Sequence, residues 1–287
     1  MTSDELTNYG NLPKIEKKIL ILVAEDIELN QVLVKNTLES WGCEVDIAEN
    51  GLEAIKKVKE HDYDAVLMDI QMPVMDGITA TREIRSLPEP NKSNLFIIAF
   101  TSIDLKDANK YKEAGMNDYI IKPYSEEELH TKIASILKKQ KPFDSNTNKV
   151  PADNSGNNEG ENTIITPNVR NEVTADDKPK LYDTAMIESI GRNNAAFTAK
   201  MIVMFVDIIS QDFDMLKEKA ANGNWAEVSQ LAHRMKSTFG NMGVTSVLGF
   251  IKQLEVGPDH SSLIIQKLED ELAKVIAQMK SDYGGLF

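Results

Sequence analysis

The chain has 287 residues, with 32 Lys+Arg against 45 Asp+Glu and a net charge of −13. That is length for about two domains at roughly 150 residues each, and the acidic balance argues against a protein that grips nucleic acid or anionic lipid, both of which need clustered positive charge. The single cysteine, Cys43, excludes an internal disulfide or a Cys-rich metal site and points to a reducing, cytoplasmic compartment. Apolar runs such as Ile19 to Ala24 and Ile202 to Val206 fall far short of the ~20 residues of a membrane span. The polar, acidic start MTSDELTNYG lacks the charged-then-apolar order of a signal peptide.

Residues 1–17 read as an N-terminal extension. Between 18 and 140, short apolar runs alternate with helical patterns. ILILVA (Ile19 to Ala24) is followed by a polar helical pattern from Glu28 to Trp41, and EVDIA (Glu44 to Ala48) by a helix from Gly51 to Glu60. AVLM (Ala65 to Met68) is followed by a helix from Ile78 to Arg85. LFIIAF (Leu95 to Phe100) and Tyr119 to Ile121 are the last two runs, each with a helical pattern after it. Five such runs predict a doubly wound α/β domain, a five-stranded parallel sheet covered on both faces. Residues 141–180 are rich in Asn, Asp, Pro and Thr with no period, which predicts a disordered linker. As a flexible coil of about 40 residues it would span roughly 35 Å.

From 181 to 287 the pattern is helical throughout: about Asp183 to Ile190, Ala195 to Ala221, Trp225 to Met242, Thr245 to Glu255 and Ser261 to Ser281. Gly191, Gly223, Gly243 and Gly257 punctuate it. Asn224 with Glu227 makes a start like a capping box. This predicts an all-α bundle.

In an open parallel sheet, ligands bind at the carboxyl ends of the strands. The first run ends in Glu25 and Asp26, the third in Asp69, the fourth in Thr101 and the fifth in Lys122. Crowded carboxylates raise one another's pKa, and a hard cation relieves this. Mg²⁺ takes one or two carboxylates plus water and phosphate oxygens. Lys122 and Thr101 suit phosphoryl oxygens, and Asp69 suits a nucleophile that forms an aspartyl phosphate. One acid at a strand end often only caps the next helix, as Asp26 could. Five such groups at the ends of the right strands go beyond that.

The stretches VAEDIELN (Val23 to Asn30), LMDIQMPVMDG (Leu67 to Gly77), AFTS (Ala99 to Ser102) and YIIKP (Tyr119 to Pro123) resemble a response-regulator receiver domain. The resemblance implies a flavodoxin-like fold with Asp69 as phosphoacceptor. It implies Mg²⁺ held by Asp26, Asp69 and the Gln71 carbonyl, with Glu25 acting through water. Thr101 and Tyr119 become a switch pair, and Gln71 and Ile103 stand where phosphoaspartate lifetime is tuned. Ile27 and Ser102 depart mildly from the common pattern.

Of the four histidines, His61, His130 and His260 read as surface residues of helices or helix ends. His233 lies in LAHRMKSTFGNMG (Leu231 to Gly243). At about 100° per residue, Val228, Ala232, Met235, Phe239 and Met242 form one apolar stripe and His233 lies away from it. This predicts an exposed imidazole beside Lys236, Ser237 and Gly240, where a cation and small residues leave room for a bulky dianion. Residues 181–287 resemble a histidine phosphotransfer (HPt) domain, which implies His233 as phosphoacceptor supported by Lys236, Ser237 and Gly240. Ser237 departs from the family's usual glycine.

The two resemblances together look like the carboxyl end of a hybrid sensor histidine kinase. The expectation is a phosphorelay protein with Mg²⁺ as cofactor and a sensor histidine kinase or other receivers as partners. The direction of flow is open. No Walker-type loop or Gly-rich ATP lid is found, so the chain is not expected to be a self-sufficient kinase. The alternative is a binding module that switches on phosphorylation and whose helical part only docks partners. Cys43, Met201, Met204, Met235, Met242 and Trp225 read as packing residues.

Overall fold

The structure is a computed structural model that describes residues 14–15, 18–102, 108–139, 180–258 and 261–287. Most of the expected extension and nearly all of the expected linker lie outside these residues, as do Ile103 and His260. Within them, the first part runs β1 (Leu20–Ala24), α1 (Glu28–Ser40), β2 (Glu44–Ala48), α2 (Gly51–Glu60), β3 (Ala65–Met68), α3 (Gly77–Arg85), α4 (Pro90–Ser93), β4 (Phe96–Thr101), α5 (Ala108–Ala114), β5 (Asp118–Ile121) and α6 (Glu126–Lys139). The strands form one parallel sheet in the order β2-β1-β3-β4-β5. The predicted five-stranded α/β fold is therefore present. The short α4 has no counterpart in the sequence reading, because four residues are too few to show a period.

Alternate residues of each strand serve opposite faces. Ile21, Val23, Leu67, Ile98 and Phe100 pack with Val34, Leu38 and Trp41 at α1 and with Leu129 and Ile133 of α6. Leu22, Ala24, Val66, Met68 and Ile97 pack with Ala54 and Val58 of α2, Ala80 and Ile84 of α3 and Tyr111 of α5. Cys43 is a free, buried thiol within the first of these clusters, as a packing residue should be. His130 is half-buried and meets the Trp41 ring edge-on at 4.9 Å, so it is more than the surface residue expected.

The second part runs α7 (Ala185–Ile190), α8 (Ala195–Ala221), α9 (Trp225–Asn241), α10 (Leu248–Val256) and α11 (Ser261–Asp282). The stripe predicted on α9 is its core face: Val228, Ala232, Met235, Phe239 and Met242 are all buried against Phe205, Ile251 and Leu272. Two local expectations are corrected. Asn224 is the N-cap of α9 but makes no side-chain bond to the backbone; its amide donates to Glu227 Oε1 at 2.6 Å instead, so the capping box is absent. The fourth helix starts at Leu248 rather than Thr245, because residues 246–247 form a turn.

The two parts touch along α1. Its sheet-facing residues are Val34 and Leu38, but Leu29 and Leu33, one turn apart, belong with Ile27 to the buried cluster of the helical bundle. Around this seam, Asn36 Nδ2 donates to the Ile190 carbonyl at 2.8 Å, and Ser189 Oγ donates to Glu126 Oε1 at 2.7 Å. Helix α1 thus has two apolar faces, one for each part. Among the described residues, no helix is long and apolar enough to cross a membrane.

Candidate functional site

Strand order makes the site. Chain connections leave β1 toward β2 on one side and β3 toward β4 on the other, so the loops after β1 and β3 part and open a crevice. Glu25, Asp26 and Asp69 stand there with carboxylate oxygens within 4.8 Å of one another. Their backbone is pinned to the sheet: Glu25 N donates to the Ala48 carbonyl and Asp69 N to the Ala24 carbonyl, each at 2.9 Å. Lys122, just past β5, reaches across, and its ammonium pairs with Glu25 Oε2 and with Asp69 Oδ2, the latter at 2.7 Å. Thr101 ends β4 and is buried. Its carbonyl accepts from Lys122 N at 2.7 Å. Gln71 N donates to Asp69 Oδ1 at 3.2 Å. Tyr119 is half-buried, with the Lys132 ammonium 5.3 Å from its ring centre. Gly77 is required sterically, since a Cβ there would sit 2.0 Å from the Asp69 carbonyl oxygen.

The electrostatics are those of an overcrowded anion site. Burial raises the pKa of Glu25, repulsion from Asp69 and Asp26 adds to this, and Lys122 opposes it. Asp26 is pushed up to about 6 by burial and by Asp69, against the pull of Arg234 and Lys122. For Lys122, burial works downward, but the Asp69 and Glu25 carboxylates outweigh it and hold the ammonium above the usual lysine range. An acid whose folded pKa lies above its unfolded value costs stability once pH exceeds the unfolded value, and the full cost is present above the folded one. Asp26→Asn should therefore raise the melting temperature of the metal-free chain at pH 8, by an amount equivalent to about 3 kcal/mol at roughly 1.4 kcal/mol per pKa unit. The gain should shrink below pH 6 and vanish below pH 4. Added Mg²⁺ should stabilise the parent and do little for Asp26→Asn. Calorimetric scans across pH, with and without the ion, check this. An unchanged transition for Asp26→Asn would remove the crowding argument.

The site has a second wall, contributed by α9. His233 and Ser237 line a cleft of about 960 Å³ together with Asp26, Asp69, Gln71 and Arg234. The expectation of an exposed imidazole is corrected: the His233 side chain is 14% exposed. Its Nδ1 lies 2.7 Å from Glu255 Oε1 on α10. Burial works to raise the Glu255 pKa, but the His233 hydrogen bond and the Lys236 ammonium outweigh it and hold the carboxyl below its ordinary range. An ionised carboxylate only accepts, so Nδ1 carries a proton, which leaves Nε2 as the nitrogen that bears the lone pair in a neutral ring. Lys236 Nζ is 3.7 Å from Glu255 Oε2, so the cation acts beside the histidine through this shared carboxylate. Ser237 is not open to solvent but covered by Asn30 of α1, whose Nδ2 is 3.1 Å from Ser237 Oγ. Gly240 faces Pro123, whose ring would lie 3.7 Å from an added Cβ.

Several groups at this junction were not singled out from sequence. Arg234 spans it, with Nε 3.2 Å from Asp212 Oδ2 on α8 and Nη1 3.8 Å from Asp26 Oδ2. Asp212 is almost fully buried, and burial raises its pKa against the effect of Arg234. Adjacency to His233 was the one available signal for Arg234. Glu255 and Asn30 offered none, because each meets α9 only through packing of distant segments.

The profile of the response regulator receiver domain matches residues 21–134. Signal transduction histidine-protein kinase BarA of Escherichia coli is 27% identical over 261 residues, which are 90% of this chain and 26% of that protein. Aerobic respiration control sensor protein ArcB of Escherichia coli is 26% identical over 267 residues, 92% of this chain and 30% of that protein. The chain thus spans less than a third of the length of either relative. Among solved structures, the receiver domain of sensor histidine kinase PA1611 from Pseudomonas aeruginosa, which holds a magnesium ion in its active-site cleft, is 36% identical. That match covers 42% of this chain and 99% of that one, with a TM-score of 0.40. Residues 21–134, which carry the acid cluster and Lys122, belong to the response regulator receiver domain family.

Proposed function

We propose that the chain is a phosphorelay protein in which residues 18–140 form the receiver unit, residues 181–287 form a histidine phosphotransfer unit, and residues 141–180 tether them. Asp69 and His233 are the two phosphoacceptors. The observation that carries this reading is that both line one cleft.

The acid cluster suits Mg²⁺: three carboxylates with oxygens within 4.8 Å of one another, one of them partly exposed, carry more negative charge than Lys122 offsets. Asp26, Asp69 and the Gln71 carbonyl would hold the ion, with Glu25 behind them, and the bound ion would neutralise phosphoryl oxygens. The chain's own groups do the rest. The Asp69 carboxylate is the nucleophile toward an incoming phosphoryl group. Lys122 and Thr101 take phosphoryl oxygens, and Tyr119 follows Thr101. For passage to the bundle, the Nε2 lone pair of His233 attacks phosphorus, the P–O bond to Asp69 breaks, and its electron pair returns to the carboxylate. Glu255 stabilises the imidazolium through Nδ1–H. The reverse step uses the same atoms, and a sensor histidine kinase or another receiver supplies or removes the group. The setting is a reducing cytoplasm, which keeps the lone thiol of Cys43 reduced.

Incubation with acetyl phosphate should label the parent only when Mg²⁺ is present, and chelation should abolish labelling. Asp69→Asn should reduce it by at least a hundredfold. Labelling of Asp69→Asn at the parent's level would overturn the assignment.

A further inference from the structure

The seam between α1 and the bundle is apolar at Ile27, Leu29 and Leu33 and polar at the buried Asn30. Asn30 is 4% exposed and uses both ends of its amide. Nδ2 donates to Glu25 Oε1 at 2.7 Å and to Ser237 Oγ at 3.1 Å, and Oδ1 accepts from Asn241 Nδ2 at 2.6 Å. Ser237 and Asn241 are themselves buried, 8% and 5% exposed. They stand one and two turns after His233 on the same helix face.

We propose that Asn30 is a specificity determinant for receiver docking. It selects a phosphotransfer helix with a small hydroxyl one turn after its histidine and a carboxamide two turns after, and this chain supplies that helix to itself. The inference rests on the reading above that the bundle is the partner of Asp69. The physical ground is an asymmetry between apolar and polar contacts. Leucines at a seam accept many apolar partners with little discrimination, whereas a buried amide rejects any partner that leaves it without a hydrogen bond. A helix with an apolar residue in place of Asn241 strands the Asn30 carbonyl oxygen, and one without an acceptor in place of Ser237 strands an N–H. The amide also fixes register. A slip of α9 by one turn along α1 would offer Asn30 different groups, as a single buried asparagine fixes register in a coiled coil.

The test is a mutant cycle on full-length chains: the parent, Asn30→Leu, Asn241→Leu and the double variant. Docking is read as compaction by small-angle X-ray scattering, and circular dichroism verifies that all four are folded. Each single variant should raise the undocked fraction at least tenfold. The double variant should recover most of the parent's compaction, because leucine against leucine strands no amide and the Ser237 hydroxyl can turn to a carbonyl of its own helix. Ser237→Ala, which adds no volume, should raise the undocked fraction severalfold and covers the case in which a leucine variant does not fold. Single variants as compact as the parent, or a double variant no better than the worse single one, overturn the proposal. Compaction needs no phosphoryl transfer. A chain that shows the coupling but never moves phosphoryl groups fails the earlier reading, and the phosphotransfer role of the selected helix falls with it while the docking role of Asn30 remains.

Discussion

Lys122→Met should cost the receiver unit about 3–5 kcal/mol of stability at pH 8, the range seen when one partner of a buried ion pair is removed. The Lys122 side chain is 3% exposed and is the ammonium that meets Glu25 and Asp69, which are 0% and 12% exposed. Methionine fills much of the same volume, so the loss is electrostatic: two carboxylates remain in a poorly solvated pocket with Asp26 beside them. Protonation relieves such a cluster. The penalty should therefore shrink as pH falls from 8 to 5, which is the sign expected when the variant binds more protons folded than unfolded. Chemical denaturation at a series of pH values measures it. Labelling by acetyl phosphate should fall at least a hundredfold, the scale for removing one positioned charge from a transition state. A variant as stable as the parent at pH 8 would mean that Lys122 is not the group holding the acids together.

Leu33→Asp should separate the two parts of the molecule. Leu33 is 1% exposed and lies in the bundle's cluster, not in the sheet's. A carboxylate there would enter the apolar cluster that holds Ile27 and Leu29, and burying it without a partner costs several kcal/mol. The sheet face of α1 keeps Val34 and Leu38, so the receiver unit stays folded. The expected result is a larger radius of gyration, two separate melting transitions and unchanged helix content. Lys35→Ala, at a half-exposed position whose ion pair among the described residues is with Glu39, should change none of these. A Leu33→Asp chain that stays compact would contradict the docked arrangement.

The contrast between Leu33 and Lys122 marks what was legible in the sequence. Glu25, Asp26, Asp69, Thr101 and Lys122 could be placed because each follows a short apolar run, and parallel strands bring their carboxyl ends to one edge whatever else the chain does. The α9 stripe was legible for a similar reason, since helical period alone separates Met235 and Phe239 from His233. Helix α1 was read as a polar pattern, although Leu29 and Leu33 lie off the face of Val34 and Leu38 and form a second apolar side. A period reveals that a face exists and says nothing of what covers it. The imidazole was expected to be exposed for the same reason: Glu255 and Asn30 reach α9 from other elements, across 22 and 207 residues of chain in the case of the His233–Glu255 and Asn30–Ser237 contacts. The departure at Ser237 then has a physical meaning, since its hydroxyl is a hydrogen-bond partner for the receiver unit.

The central claim is passage of a phosphoryl group between Asp69 and His233 within this molecule. The direct measurement is a time course on the full chain, labelled through acetyl phosphate and Mg²⁺ and then freed of donor, with the label sorted by chemical stability. The account predicts a base-labile acyl phosphate at Asp69 that gives way to an acid-labile, base-stable phosphohistidine at His233, at a rate independent of protein concentration over a tenfold range. Label that never leaves Asp69, or base-stable label that still forms in His233→Gln, would contradict it.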